Sequence, residues 1–280
     1  MAGNVRRTLL TFLLLSTVVL TAPASAQTSP ADVSQESPCD DPSACIISVS
    51  GAASVASLGP WTRSIVCPVL YTHEVVSQVV FQRMLTTILA SGYRPTSLAA
   101  VDAAMSGAID PPPGCLVLTF DDALYSQYLN ALPVLARMGV PGVFFALVPG
   151  FADGVHRYMG VSELQALVAA GEEVEAHTCN HPNLAVLERL NLNAFLAEIQ
   201  DCKGELEDML GVSVNFLAYP NGAYDATVVD GVARTGYRAA FTTRASARLT
   251  ASTPYTLPRI RYDPSEAPLA VIRRIRASGG

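Results

Sequence analysis

An α/β fold built on parallel strands is what this sequence predicts, and three observations carry the prediction. Short apolar runs alternate with helical stretches from Ile65 onward. The runs are apolar throughout rather than at every second residue, the pattern of strands covered on both faces. Glycine stands directly after most of the helical stretches, where helices end in a left-handed residue. Six or seven such units exceed a short open sheet and imply a closed or nearly closed barrel. No Gly-x-Gly-x-x-Gly follows the first strand and there is no Walker loop, so nucleotide-binding α/β folds lose support. No segment repeats at a fixed period, which excludes solenoids.

Val66-Cys67-Pro68-Val69-Leu70-Tyr71 is the first buried strand. In Val80–Ser91, Phe81, Met84, Leu85, Ile88 and Leu89 fall at helical spacing, and Gly92 ends the helix. Leu98–Met105 makes a second short helix, and Cys115–Phe120 a continuous apolar strand. A helix over Tyr128–Met138 ends at Gly139, and Val143–Val148 is the next strand. Val161–Ala170 is helical up to Gly171, and Glu173–Ala176 is a short strand. Leu192–Leu210 reads as one long helix ended by Gly211, before a strand over Val214–Tyr219. The last units are a helix over Thr227–Thr235 ended by Gly236, strands at Ala239–Thr242 and Leu257–Arg261, and a final helix on which Arg273-Arg274 faces solvent.

The chain has 280 residues, of which 50% are hydrophobic and 15% charged, against about 25% charged in an ordinary domain. That excludes disorder as a description of the whole. The net charge is −6, and Lys203 is the single lysine among 18 basic residues. The arginines stand singly or in pairs, so the basic stripe that nucleic acid requires is missing.

Met1–Ala26 reads as a secretory signal peptide. Arg6 and Arg7 give the positive start, Leu9–Leu20 the apolar stretch, and Ala24-Ser25-Ala26 the small-residue cleavage site. The apolar stretch is shorter than the ~20 residues of a membrane span. A secreted or periplasmic location follows, in which disulfides are allowed. Residues 27–62, rich in Ser, Ala, Pro and Asp, read as a flexible arm, and 63–280 as the folded domain. All six cysteines follow the leader. Cys39 with Cys45 could close a small loop and Cys67 with Cys115 could meet on neighbouring strands, leaving Cys179 with Cys202; buried free thiols are the alternative.

Polar residues that carry chemistry stand at the C-terminal ends of the strands, where barrel enzymes place their sites. They are His73, the pair Asp121-Asp122, His177 with His181, and Asn221-Gly222. Adjacent carboxylates after an apolar strand are costly unless solvated, paired or bound to metal, and Asp-Asp alone can equally cap a helix. His-x-x-x-His sets two imidazoles on one side of a turn. Two imidazoles and one carboxylate suit zinc, with cobalt, nickel or manganese fitting the same donors. The second carboxylate is then free to act as a general base.

Thr119-Phe120-Asp121-Asp122 and His177-Thr178-Cys179-Asn180-His181-Pro182 resemble the first two motifs of polysaccharide deacetylases of the NodB-homology type, carbohydrate esterase family 4. Pro68-Val69-Leu70-Tyr71, Ala131–Leu135 with Gly139-Val140-Pro141, and Leu217–Gly222 are similar to further stretches of that family, from about Val66 to Tyr262. The resemblance implies a distorted (β/α)7 barrel and metal-dependent removal of N- or O-acetyl groups from a glycan. It implies Asp121 as general base, Asp122, His177 and His181 as metal ligands, and the Asn221 N–H as a donor to the oxyanion.

Three positions depart from the family pattern. Ala123 stands where glycine is common, and Ala218 where an arginine orients the base. Leu257-Pro258-Arg259 replaces a late Leu-x-His that supplies the general acid. An arginine with a pKa above about 12 cannot take that role. His73 is preferred for it on position, with a hydrogen-bonded structural histidine as the alternative; His156 reads as an ordinary loop residue. Tyr219 and Arg259 are assigned to substrate binding, with a core or rim position for Tyr219 and a bound carboxylate or structural ion pair for Arg259 as the alternatives, and Trp61 is assigned to packing of the arm. An acetylated glycan is the expected partner, with no nucleic acid, membrane span or partner protein indicated. A glycan-binding protein without turnover and a hydrolase of a non-sugar amide are the competing readings.

Overall fold

A computed structural model describes residues 58–148 and 157–280, all within the compact unit Gly51–Gly280. The expected signal peptide, most of the expected arm, Cys39 with Cys45, and His156 lie outside the described residues.

The elements run β1 (Ile65–Val66), β2 (Val69–Thr72), α1 (Gln78–Ala90), β3 (Arg94–Pro95), α2 (Leu98–Ser106), β4 (Cys115–Asp121), α3 (Leu132–Met138) and β5 (Val143–Ala146). They continue α4 (Val161–Ala169), β6 (Glu173–Ala176), α5 (Leu184–Leu190), α6 (Leu192–Leu196), α7 (Cys202–Leu210), β7 (Phe216–Ala218), α8 (Ala226–Arg234), β8 (Ala239–Phe241), β9 (Arg248–Leu249), β10 (Ile260–Arg261) and α9 (Pro268–Ala277). The main sheet is parallel, in the order β10-β2-β4-β5-β6-β7-β8, with β3 beside the start of β4. Its far edges approach through Leu257, which bridges Phe241 and exchanges hydrogen bonds with Ala240 and Thr242. The curled sheet is the distorted (β/α)7 barrel that the resemblance implies. β1 and β9 form a separate antiparallel pair.

Strand residues alternate between two cores. Val69, Val117, Val143, Phe145, Phe216, Ala218 and Phe241 fill the barrel, while Leu70, Leu118, Phe120, Phe144 and Leu217 pack under the helices. This period of two decides what reaches the site: Thr119 and Asp121 continue the inward register of β4, and His177 continues that of β6 after Glu173 and Glu175. The two inward glutamates accept backbone N–H groups, Glu173 from Leu98 and Ala99 at the start of α2, and Glu175 from Asn215 and Phe216.

Several elements differ from the sequence expectation. The first strand is cut in two at Pro68, which has no N–H to continue the ladder. The strand expected over Leu257–Arg261 shortens to Ile260–Arg261 behind Pro258 for the same reason. The helices expected over Tyr128–Met138 and Leu192–Leu210 each contain a π turn, at Gln127–Ala131 and Ala197–Asp201. Helix α5, capped by Asn183, is an element that the sequence reading passes over. Residues 58–62, read as the end of the arm, are tied to the body: Arg238 donates to the carbonyls of Leu58 and Gly59, and Trp61 Nε1 donates to buried Asp102. Arg273 is exposed, but Arg274 is ion-paired to Glu266 instead of facing solvent alone. Disulfides join Cys67 to Cys115 and Cys179 to Cys202.

Candidate metal centre and active site

All eight candidate residues line one cavity of about 410 Å³ at the C-terminal end of the barrel strands. Asp121 points inward by strand register. Asp122 would point outward, but its φ of 75° and that of Ala123, 52°, turn the chain so that both carboxylates face the cavity. The φ of Ala123 accounts physically for the glycine common at that place. In the next loop Thr178 (φ 70°) and His181 (φ 53°) do the same for the second imidazole, and Thr178 Oγ1 accepts the His181 N–H at 3.0 Å.

The donor atoms meet at Asp122. Its Oδ1 lies 3.4 Å from His177 Nε2 and 3.5 Å from His181 Nε2, and no hydrogen bond reaches this buried oxygen. His177 Nδ1 is 2.8 Å from the carbonyl oxygen of Ala218. A carbonyl only accepts, so Nδ1 carries a proton, and in the neutral ring Nε2 turns a lone pair toward the carboxylate. Lone pairs converging on one point without a proton between them are what a cation requires, so the residues fit a divalent metal. Burial raises the Asp122 carboxyl, but the neighbouring imidazoles outweigh it and hold its pKa below the ordinary value. Burial, and the repulsion between the two rings when both are protonated, hold His181 below the ordinary histidine value. Ionised carboxylate and neutral imidazole are the forms that ligate metal.

His73 sits on the open side of this group. Its Nε2 is 3.9 Å from Asp122 Oδ2, and the side chain is 38% exposed. Asn221, in the loop after β7, holds φ 57°. A Cβ on Gly222 would come within 2.2 Å of Thr243 Oγ1, so glycine there lets the loop lie against Thr243. Among the hydrogen bonds of the described residues none engages the Asn221 N–H. Tyr219 is buried and stacked on Tyr224, and its hydroxyl donates to the Tyr255 carbonyl.

Of the readings open to Arg259, the structure shows the ion pair: its side chain is 0% exposed and its guanidinium grips Asp121, with Nη1–Oδ1 at 2.7 Å and Nη2–Oδ2 at 2.8 Å. A charge buried at this depth must be paired, and Asp121 is its partner.

Two residues absent from the sequence reading hold the site loops from behind. Gln127 Nε2 donates to the carbonyls of His73 and Asp121. Glu198 accepts N–H groups from Cys179 and Asn180 and also bonds the Asn180 amide, and the Cys179–Cys202 disulfide pins the same loop. Gln127 and Glu198 lie in the two π turns, features frequent at functional sites. The only sequence signal was indirect: Glu198 stands one turn before Cys202.

Residues 108–240 match the polysaccharide deacetylase family model. YxkH of Bacillus subtilis (strain 168), whose name places it among the polysaccharide deacetylases, is 24% identical over 204 residues, 70% of this chain and 71% of its own. The deacetylase PplD of Streptococcus pyogenes, solved in complex with acetate, shares the fold at a TM-score of 0.68 and 24% identity, over 76% of this chain and 99% of that one. IcaB of Ammonifex degensii does so at 0.66 and 24% identity, over 78% of this chain and 98% of that one.

Proposed function

We propose that this chain is a polysaccharide deacetylase, as the family-model match over residues 108–240 and the similarity to YxkH support, and that it is an exported, metal-dependent hydrolase that removes acetyl groups from an acetylated glycan. The observation that carries the metal dependence is the partnerless Asp122 Oδ1 facing the His177 and His181 Nε2 atoms. Zinc is the first candidate, held by Asp122, His177 and His181, with cobalt, nickel and manganese next. A cation there supplies Lewis-acid polarisation of the acetyl carbonyl and of water.

The chain supplies the rest. Asp121, next to the ligand group, takes the proton from the attacking water. The Asn221 N–H donates to the oxygen on which negative charge develops. His73, partly exposed at the cavity rim, gives a proton to the departing amine or alcohol. The leader-like pattern of Met1–Ala26 supports a reaction outside the cytoplasm. No helix of the described residues is long and apolar enough to cross a membrane.

The test is to purify the chain from Gln27, measure its metal content, and assay acetate release from N-acetylglucosamine oligomers and acetylated xylan, with Asp121→Asn as control. About one metal per chain with release lost in the variant is the expected result. Metal without release from any acetylated glycan would move the reading to a glycan-binding protein or a non-sugar amidase.

A further inference from the structure

We infer that Arg259 is the positioning residue for the base Asp121, an inference that rests on the assignment of Asp121 above. Two parallel N–H···O bonds of 2.7 and 2.8 Å fix the plane of the carboxylate, because a guanidinium fork and a carboxylate match in only one relative orientation. The fork itself is fixed. Its carbon lies 4.6 Å from the centre of the Tyr71 ring and 5.4 Å from that of Phe145. Its Nε–H donates to the Thr242 carbonyl, and Nη1 also donates to Thr119 Oγ1. Four of its five N–H groups have partners inside the protein, which leaves no fork to offer a substrate.

The surroundings explain why an arginine is needed from this direction. Ala218, on β7, brings only a methyl group to the barrel interior, so no cation reaches Asp121 from that strand. Gln127 holds the Asp121 main chain, and Arg259 holds its side chain. Each carboxylate oxygen keeps a second lone pair after the fork is satisfied, so Asp121 is oriented without losing its capacity to accept a proton. Arg259 lies beyond residues 108–240 that match the family model, on the segment that closes the barrel.

Arg259→Lys and Arg259→Gln test this on the full mature chain, using the acetylated oligomer from which the wild type releases acetate. Metal content and cooperative thermal unfolding should persist in Arg259→Lys. Its kcat should fall about tenfold, and that of Arg259→Gln about 100-fold, the scale of a misplaced catalytic group. KM should stay within about twofold, since a group acting only in the transition state moves kcat. A raised KM with kcat retained would make Arg259 a substrate contact and overturn the inference, as would unchanged kinetics. Loss of cooperative unfolding in Arg259→Lys would overturn it in favour of a purely structural pair. If the wild type releases no acetate, the functional reading has failed on its own. A crystal structure of Arg259→Lys then decides the positioning claim: a rotated Asp121 carboxylate supports it and an unmoved one overturns it.

Discussion

The two ends of the barrel bend the backbone in different ways. At the end where the strands leave toward the cavity, Asp122, Ala123, Thr178, His181 and Asn221 hold φ between 52° and 75°, and they are the only described residues other than glycine with positive φ. At the opposite end the same region is taken by Gly139, Gly171, Gly211 and Gly236, each just after a helix. A residue with a side chain in that conformation costs roughly 1–2 kcal/mol, whereas glycine adopts it freely. The strain is therefore concentrated on the three loops that carry the candidate ligands and the oxyanion donor. Such strain persists only where the surroundings over-determine it, and here Gln127, Glu198 and the Cys179–Cys202 disulfide provide that determination.

The largest effects should come from the strained end. His177→Ala removes a proposed ligand and should abolish both metal binding, by elemental analysis, and acetate release, with far-UV circular dichroism unchanged. Asp121→Asn should keep the metal and lower acetate release by about 10²–10⁴-fold. Metal retained in full by His177→Ala would break the link between the strained loop and the ion.

The loop supports come next. Glu198→Ala, and separately the pair Cys179→Ser with Cys202→Ser, should weaken metal affinity about 10- to 100-fold in chelator competition, as outer-layer changes do. Unchanged affinity would mean that the His loop keeps its shape without being held from behind.

The glycine end was legible in the sequence and the strained end only in part. Glycines placed after periodic stretches mark helix ends by a local rule, so strand and helix alternation could be read from Ile65 onward. The candidate ligands could be named because Asp121-Asp122 and His177-x-x-x-His181 are contiguous motifs. The partner of Arg259 could not be named, because it is 138 residues away and nothing in Leu257-Pro258-Arg259 says that the side chain turns inward. Glu198 and Gln127 were invisible for the same reason. Both lie in π turns, and a π turn leaves no mark on hydrophobic periodicity.

The glycine end also has its own dependence on acid. Glu172, just before β6, accepts the Gly142 N–H at 2.6 Å, and burial pushes its carboxyl from the ordinary 4.5 up to about 7. The folded chain therefore holds this proton more tightly than the unfolded chain. Its stabilising contribution is complete below pH 4.5 and is lost as pH rises through about 7. Urea unfolding of the metal-free protein at pH 5 and pH 8 should show a stability loss of at most about 3 kcal/mol that Glu172→Gln largely removes. An equal loss in the variant would place the pH dependence elsewhere, with buried Glu175, raised well above its ordinary value, as the next group to test.

The smallest expected effects separate strain from function most cleanly. A Cβ at Gly211 would meet nothing within 4 Å, and φ there is 67°, so Gly211→Ala changes backbone strain and little else. It should destabilise by about 1–2 kcal/mol, lowering Tm by about 2–4 °C for each of those kcal/mol, with metal affinity and acetate release untouched. Asn221→Gly is the reverse experiment at the other end. It relieves the strain at φ 57° and keeps the N–H assigned to the oxyanion. If that N–H is what matters, acetate release should stay within about twofold and Tm should not fall. A large loss of kcat in Asn221→Gly would show that the asparagine side chain, or the rigidity it imposes on the loop, takes part in the reaction. In that case the strain at this end is itself a working part of the site, beyond being the by-product of aiming residues inward.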